Sequence, residues 1–201
     1  MKMKIKTLSA LAILPIAALA ITSCSRGPNV DTTTVVTTQP GVPGGVVVET
    51  HTITATVTGI DKTNRHVMLV TPDGFKQTVT AGPDVANFDQ IQVGDQFKAT
   101  LAEQLVVFVR DPGGVSGDGE ASAVALAPVG AKPGALMVNT EVITAKVKSI
   151  DVEHQKATLE FPDGSTRTVK VRKDVDLSKQ AVGAEVVIRT TEALAISLEK
   201  P

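Results

Sequence analysis

The chain has 201 residues, a formal net charge of −1, one cysteine, and neither tryptophan nor tyrosine. A single cysteine excludes an intramolecular disulfide. The near-neutral charge, with five phenylalanines as the only aromatic residues, argues against a nucleic-acid partner, which needs a basic groove and stacking rings.

Residues 1–23 have the pattern of an export signal peptide. Lys2, Lys4 and Lys6 give a positive end, and the apolar run that follows is short for a transmembrane helix. Cleavage of this segment removes three lysines and lowers the net charge from −1 to −4.

Ile21-Thr22-Ser23-Cys24 resembles the lipobox of bacterial lipoproteins. The resemblance implies cleavage before Cys24, lipidation of its thiol and membrane attachment through N-terminal acyl chains such as palmitate. Ser25 follows the cysteine where an aspartate would resemble an inner-membrane retention signal. In a host with two membranes this favours the outer membrane, with the protein facing the periplasm. The alternative is an ordinary secretory signal with an incidental cysteine.

Residues 24–47 predict a lipidated cysteine followed by a flexible spacer, because Thr, Pro and Gly dominate and few long side chains are available for burial. An edge strand at Val46–Val48 is the alternative for its last residues. The Gly-, Ala- and Pro-rich residues 111–137 predict a linker, in which 120–126 could form a helical turn.

Two similar β units, residues 48–110 and 138–201, flank that linker. Leu69-Val70-Thr71-Pro72-Asp73-Gly74-Phe75 recurs as Leu159-Glu160-Phe161-Pro162-Asp163-Gly164-Ser165. Each copy predicts a β-hairpin, because Pro-Asp-Gly suits a tight turn and the flanking residues alternate apolar with polar.

Each unit predicts five strands, with a short helix or 3₁₀ turn between strands 3 and 4 at the three-spaced Val85, Phe88 and Ile91. A polar turn at 102–104 is predicted to separate strands 4 and 5. This order favours an all-β fold of two tandem five-stranded OB-like small barrels. An SH3-like barrel is the alternative.

One apolar surface is predicted on the first unit. Met68, Val70, Val106 and Phe108 take outward positions of strands 2 and 5, where the second unit has mostly polar residues. We expect this candidate interaction face to be covered by the second unit, the linker or another protein.

Thr54 to Asp61, Pro72-Asp73-Gly74 and Asn87 to Asp95 together resemble uncharacterised exported bacterial proteins with tandem small barrels. A more distant similarity, at Ile60-Asp61 and Val93-Gly94-Asp95, is to the periplasmic copper/silver efflux chaperone. That chaperone uses methionine, histidine and tryptophan as its metal site, whereas the mature part of this chain has only Met68 and Met137 and no tryptophan. The resemblance therefore implies a fold and no metal site.

The groups that could carry chemistry are predicted to be structural. The histidines are interpreted as solvated turn residues, since a metal site needs several converging ligands; they are His51, His66 and His154. The repeated carboxylates are placed at turns, where they cap the backbone; they are Asp61/Asp151, Asp73/Asp163, Asp84/Asp174 and Glu103/Glu192. Asp111, Asp118 and Glu120 lack the ligand spacing of a calcium loop.

These observations predict a lipid-anchored, non-enzymatic envelope protein without a cofactor, which binds another envelope protein or polymer and no nucleic acid. A periplasmic metal-binding module is the alternative. An enzyme comes third, because no nucleophile elbow or phosphate-binding loop is found.

Overall fold

The computed structural model describes residues 27–83, 85, 87–111, 113, 117–128 and 130–200. The predicted signal peptide, Cys24 and Asp84 lie outside these residues. Among the described residues, no helix has the length and apolar character needed to cross a membrane.

The described residues form ten strands. The first repeat contributes β1 (Asp31–Thr37), β2 (Gly44–Asp61), β3 (His66–Val70), β4 (Lys76–Thr80) and β5 (Gln96–Arg110). The second repeat contributes β6 (Gly119–Leu126), β7 (Gly134–Asp151), β8 (Lys156–Glu160), β9 (Thr166–Lys170) and β10 (Glu185–Glu199). A single 3₁₀ turn precedes the last strand of each repeat, at Phe88–Gln90 and Leu177–Lys179.

All ten strands belong to one antiparallel sheet with the order β4-β3-β2-β5-β10-β7-β8-β9. β1 pairs with the first half of β2 and β6 with the first half of β7. The all-β class is confirmed. The two tandem barrels are not confirmed, because β5 and β10 pair along fifteen residues and join the repeats into one open sheet.

The turn predicted at 102–104 is wrong, and β5 runs straight through it. Leu101, Glu103 and Leu105 keep the two-residue alternation of a strand, and no Gly or Pro interrupts it. A charged residue on an alternating face is compatible with a strand, so polarity alone was an insufficient reason to place a turn there.

The predicted Pro-Asp-Gly hairpins are confirmed. Gly74 and Gly164 take positive φ values of 84° and 81°, and the Gly74 N–H donates to the carbonyl oxygen of Thr71 at 2.9 Å. The Thr71 N–H also donates to the Phe75 carbonyl oxygen at 2.9 Å. These two residues close a three-residue loop, residues 72–74, that ends in a left-handed glycine. Both repeats also carry a bulge one strand earlier, between Val57 and Gly59 and between Val147 and Ser149.

Strands also lie in the two stretches that were predicted to lack structure. β1 lies in the predicted spacer and β6 in the predicted linker, where residues 120–126 are a strand and not a helical turn. Thr and Val in β1 favour extended backbone, and each strand obtains partners from the long strand that follows it. Local composition underestimated both strands because their pairing is supplied by β2 and β7.

Two hydrophobic cores lie toward opposite ends of the sheet, and each uses a strand from the other repeat. The first core, built around Val57, Leu69 and Phe88, receives Leu198 from the end of β10. The second core, built around Val147 and Leu159, receives residues from the end of β5, which are Leu105, Val107 and Val109. Neither repeat therefore completes its core from its own residues.

Polar contacts also connect the two repeats. Lys132, which precedes β7, reaches Asp95 of the first repeat with its Nζ 2.6 Å from the carboxylate Oδ2. Asp95 is 1% exposed and also accepts from the Gln92 N–H at 2.8 Å. Without Lys132, the buried Asp95 carboxylate would lose this cationic partner, which is costly in a low-dielectric interior.

Replacing Lys132 with Met should destabilise the protein by about 3 kcal/mol, because Asp95 stays buried without its cation. Lys148→Met is the matched control. Lys148 pairs with Glu160 at 3.0 Å but is about half exposed, so its loss should cost less than about 1 kcal/mol. Urea unfolding followed by circular dichroism measures both changes. Equal effects of the two substitutions would show that the Lys132–Asp95 pair has no special role.

A second join links the β1–β2 corner to the second repeat and depends on pH. The Arg172 side chain and the Gly41 N–H, which both bond its carboxylate, lower the pKa of Asp174 from 3.8 to about 2. A carboxyl group with a depressed folded-state pKa stabilises the fold above its unfolded pKa and loses that contribution as the pH falls through the folded pKa.

The Gly41 amide resonance should therefore titrate with a midpoint near pH 2. Asp174→Asn should abolish that titration, since the amide has no charge to lose. A pH series of ¹H–¹⁵N spectra measures the midpoint. A midpoint at the ordinary value for aspartate would mean that the Arg172–Asp174–Gly41 contact does not persist in solution.

Candidate functional site

The two cores lie on one face of the sheet, and a polar centre separates them. Alternating residues of β5 pass from Phe97 in the first core, through Glu103, to Val107 and Val109 in the second. We call this side the central face.

Three glutamates cross the central face side by side. Glu49 of β2 lies opposite Glu103 of β5, which lies opposite Glu192 of β10. Residues directly opposed on antiparallel strands share a face, and like charges in that arrangement repel. This row is destabilising unless a cation or a proton reduces its negative charge.

His51 lies one alternation from Glu49 on β2, so its ring reaches the same row. Its Nε2 is 3.3 Å from Glu49 Oε1 and 3.8 Å from Glu103 Oε2. Its other nitrogen, Nδ1, lies 3.0 Å from the Thr32 hydroxyl of β1. That contact orients the ring with Nε2 toward the two carboxylates, as a hydrogen bond to the other ring nitrogen does for a metal-ligating histidine.

Glu49, His51 and Glu103 can each offer one ligand atom, and the three atoms lie within 4.8 Å of one another. Ligands bound to zinc at about 2.1 Å in a tetrahedron are about 3.4 Å apart. The His51–Glu49 separation already matches, and the His51–Glu103 separation needs to shorten by about 0.4 Å. The two Glu side chains are nearly half exposed, which leaves room for a water or a further ligand.

The second repeat provides a natural comparison. Asn139, Glu141 and Glu192 take the positions that Glu49, His51 and Glu103 take in the first repeat. They line a cleft of about 510 Å³ together with residues of β6. This counterpart keeps two carboxylates but has neither the histidine nor the carboxylate that corresponds to Glu49.

The structure corrects the predicted placement of several of these residues. His51 lies in the middle of β2, opposite Thr32 and Leu101, and Glu103 and Glu192 lie in the middle of β5 and β10. His66 begins β3. Only His154 lies in a turn, where its Nδ1 is 2.9 Å from Asp151.

The sequence did contain a signal for this cluster. Glu49-x-His51 within an alternating strand places both side chains on one face. The third ligand could not be found in the same way, since Glu103 joins them only through the β2–β5 register.

The turn carboxylates are already used by the backbone. Asp61 accepts from the N–H groups of Thr63 and Asn64, and the Asn64 contacts hold its pKa below the ordinary value. Asp151 and Asp163 likewise accept backbone N–H groups within their turns, from His154 and Ser165. Asp73 bonds the Thr71 hydroxyl and, at 3.2 Å, the Asn29 N–H.

Among the described residues, no metal-ligating group includes Asp111, Asp118 or Glu120, which lack the ligand spacing of a calcium loop. Asp118 accepts from the Thr144 hydroxyl at 2.5 Å. Glu120 belongs to β6 and lines the cleft beside Glu141.

The four residues of the predicted interaction face do not lie together. Val70 is opposite Thr56 of β2, whereas Val106 is opposite Val46, so about 33 Å of strand separates the two pairs. Met68 lies over Gly59. Phe108 is 40% exposed and is opposite Val187 of the second repeat. A contiguous face was expected because strands 2 and 5 of a closed barrel come close, and the open sheet keeps them apart.

Neither Met68 nor Met137 lies beside the group of Glu49, His51 and Glu103. Met137 lies on β7, opposite Leu194 of β10, and is separated from His51 by the two intervening strands. Met68 is on β3, far along β2 from His51. The ligand set at His51 therefore has oxygen and nitrogen donors, unlike the soft donors of a copper(I) or silver(I) site.

Comparison with known proteins finds no family model and no curated relative that matches this chain. The resemblance to exported lipoproteins stays a prediction.

Proposed function

We propose that this chain is a non-enzymatic binding protein of the cell envelope that coordinates a divalent metal ion through Glu49, His51 and Glu103. The observation that carries the proposal is the convergence of these three ligand atoms within 4.8 Å. The metal-binding module is therefore favoured over a module that only binds another envelope protein or polymer.

The donor set indicates the class of metal. Imidazole and carboxylate ligands suit Zn²⁺, Mn²⁺ and similar divalent ions, whereas Cu(I) and Ag(I) prefer sulfur. Two carboxylates would neutralise a divalent ion and relieve the repulsion within the glutamate row. Glu192, opposite Glu103, adds negative charge that attracts a cation to the same place.

Binding is favoured over catalysis by the state of the buried acids. Among the described residues, the buried carboxylates are those of Asp95 and Glu185. Asp95 pairs with Lys132 and Glu185 pairs with Arg110, at 2.6 Å and 2.7 Å. A catalytic acid–base pair would need two carboxyl groups in different environments within one cleft, whereas the three glutamates that share the second-repeat cleft are all exposed.

Acylation of Cys24 would place the membrane beside the first repeat. The Asn29 N–H contacts Asp73 in the β3–β4 turn, and the five Cα-to-Cα steps from Cys24 to Asn29 span at most about 18 Å. We infer that this turn faces the outer membrane from the periplasmic side and that the metal site lies farther along the sheet.

Metal binding should be measured by calorimetry on the mature-length chain carrying Cys24→Ser, titrated with Zn²⁺ and Mn²⁺ and, under reducing conditions, with Cu(I). One divalent ion per chain is expected. His51→Ala should weaken binding at least tenfold, and His154→Ala should leave it unchanged because His154 lies outside the cluster. Absence of stoichiometric binding to the chain that carries only Cys24→Ser would refute the proposed function.

The second repeat offers a gain-of-function control. Asn139→Glu combined with Glu141→His copies the first-repeat ligands onto the second repeat. This double variant should bind two divalent ions per chain. A stoichiometry that stays at one in a folded double variant would show that the three residue types are insufficient in this setting.

Anchoring is tested separately in cells. The unsubstituted chain should fractionate with membranes, and Cys24→Ser should move it to the soluble envelope fraction. Membrane association that survives this substitution would exclude acylation of Cys24 as the anchor.

A further inference from the structure

The first repeat contains an apolar cavity of about 460 Å³ beside its core. It opens between the β3–β4 hairpin, the residues that follow β4, the β6–β7 corner and the end of β10. Its walls are mainly aliphatic, including Val67, Leu69, Ile91, Leu126 and Leu198, with Phe97 as the aromatic residue. No Lys, Arg, Asp or Glu belongs to the described residues that line it.

In the second repeat an arginine takes the equivalent position. Arg172 lies between its own repeat and the β1–β2 corner, where its guanidinium donates to the carbonyl oxygens of Gln39, Val42 and Gly44. The residue at the same position of the first repeat is Gly82, which lines the cavity. A Cβ added at Gly82 would have no heavy atom within 4 Å.

A cationic side chain, that of Arg65, lies against the wall of the cavity, although it is not one of the residues that line it. The Arg65 guanidinium donates to the carbonyl oxygens of Ala81, Gly82 and Val85, at 2.8 to 3.1 Å, and these three residues belong to the cavity wall. Its guanidinium carbon is also 4.5 Å from the centre of the Phe88 ring. An uncharged interior with a fixed positive charge at its edge complements an anionic group that carries an apolar tail.

We propose that this cavity binds a fatty acid, with the hydrocarbon tail inside and the carboxylate at Arg65. The volume is within the range of small-molecule sites. Burial of the tail supplies the affinity through the hydrophobic effect, and a charge-assisted hydrogen bond from Arg65 selects the carboxylate over a neutral head group. The site is separate from the His51 cluster and does not depend on a metal.

The test uses dodecanoate and dodecanol as probes, added to the mature-length Cys24→Ser chain and observed by ¹H–¹⁵N and methyl NMR. Dodecanoate should bind with one site per chain and shift the methyl resonances of Val67, Leu69 and Leu198. Dodecanol should bind at least tenfold more weakly. Arg65→Gln should remove this preference for the carboxylate while dodecanol binding is retained.

Gly82→Arg copies the second repeat and should reduce dodecanoate binding at least tenfold, whereas Gly82→Ala should bind as the unsubstituted chain does. Ala135→Leu fills the cavity from the opposite wall and should also reduce binding, which keeps the test valid if Gly82→Arg fails to fold. His51→Ala should bind dodecanoate normally. The proposal would be overturned if dodecanoate did not bind at millimolar concentration, or if a folded cavity-filling variant bound it as well as before. An equal loss of dodecanoate and dodecanol binding in Arg65→Gln would overturn the placement of the carboxylate.

Discussion

The pairing of β5 with β10 is the constraint on which the rest of this structure depends. The two strands are opposed over fifteen residue pairs. This pairing places one end of each strand in the core of the other repeat. A unit of about sixty residues buries only about 60% of the surface that its unfolded chain exposes, and it is often marginally stable alone. The exchange of strand ends solves this problem, because each core gains apolar side chains that its own repeat does not supply. The Lys132–Asp95 and Arg110–Glu185 pairs then join the repeats at partly buried positions.

The same pairing creates the polar centre of the sheet. Because β5 and β10 meet in opposite directions, Glu103 and Glu192 are brought face to face at the middle, and the first half of β2 adds Glu49 and His51 beside them. A duplicated sequence thus places repeated side chains against each other at the join. The repeats have the same backbone arrangement but different side chains at some equivalent positions, such as His51 and Glu141 or Gly82 and Arg172. The functional groups available in the two halves of the sheet therefore differ.

Local features of the fold were predictable from the sequence, and features that depend on distant pairing were not. Pro72-Asp73-Gly74 and Pro162-Asp163-Gly164 specify their turns within a few residues, and the alternation at Ile53, Ala55 and Val57 specifies a strand. The continuity of β5 through Glu103 depends on β2 and β10 lying on either side. The strand conformation of β1 and β6 likewise depends on partners. The sequence alone places His51 on one face with Glu49, but the proximity of His51 to Glu103 could be predicted only from the register of β2 against β5. The cavity could not be predicted, because the sequence does not show that Gly82 borders open space.

The shared cores make the repeats a single cooperative unit, and fluorine NMR tests this most directly. The chain has five phenylalanines, of which Phe88 belongs to the first core and Phe161 packs against the second. With 4-fluorophenylalanine incorporated, the native resonances of Phe88 and Phe161 are followed through a urea titration. The account predicts that both disappear at the same urea concentration. Loss of one native resonance while the other persists would show that the two repeats fold as independent domains and would contradict it.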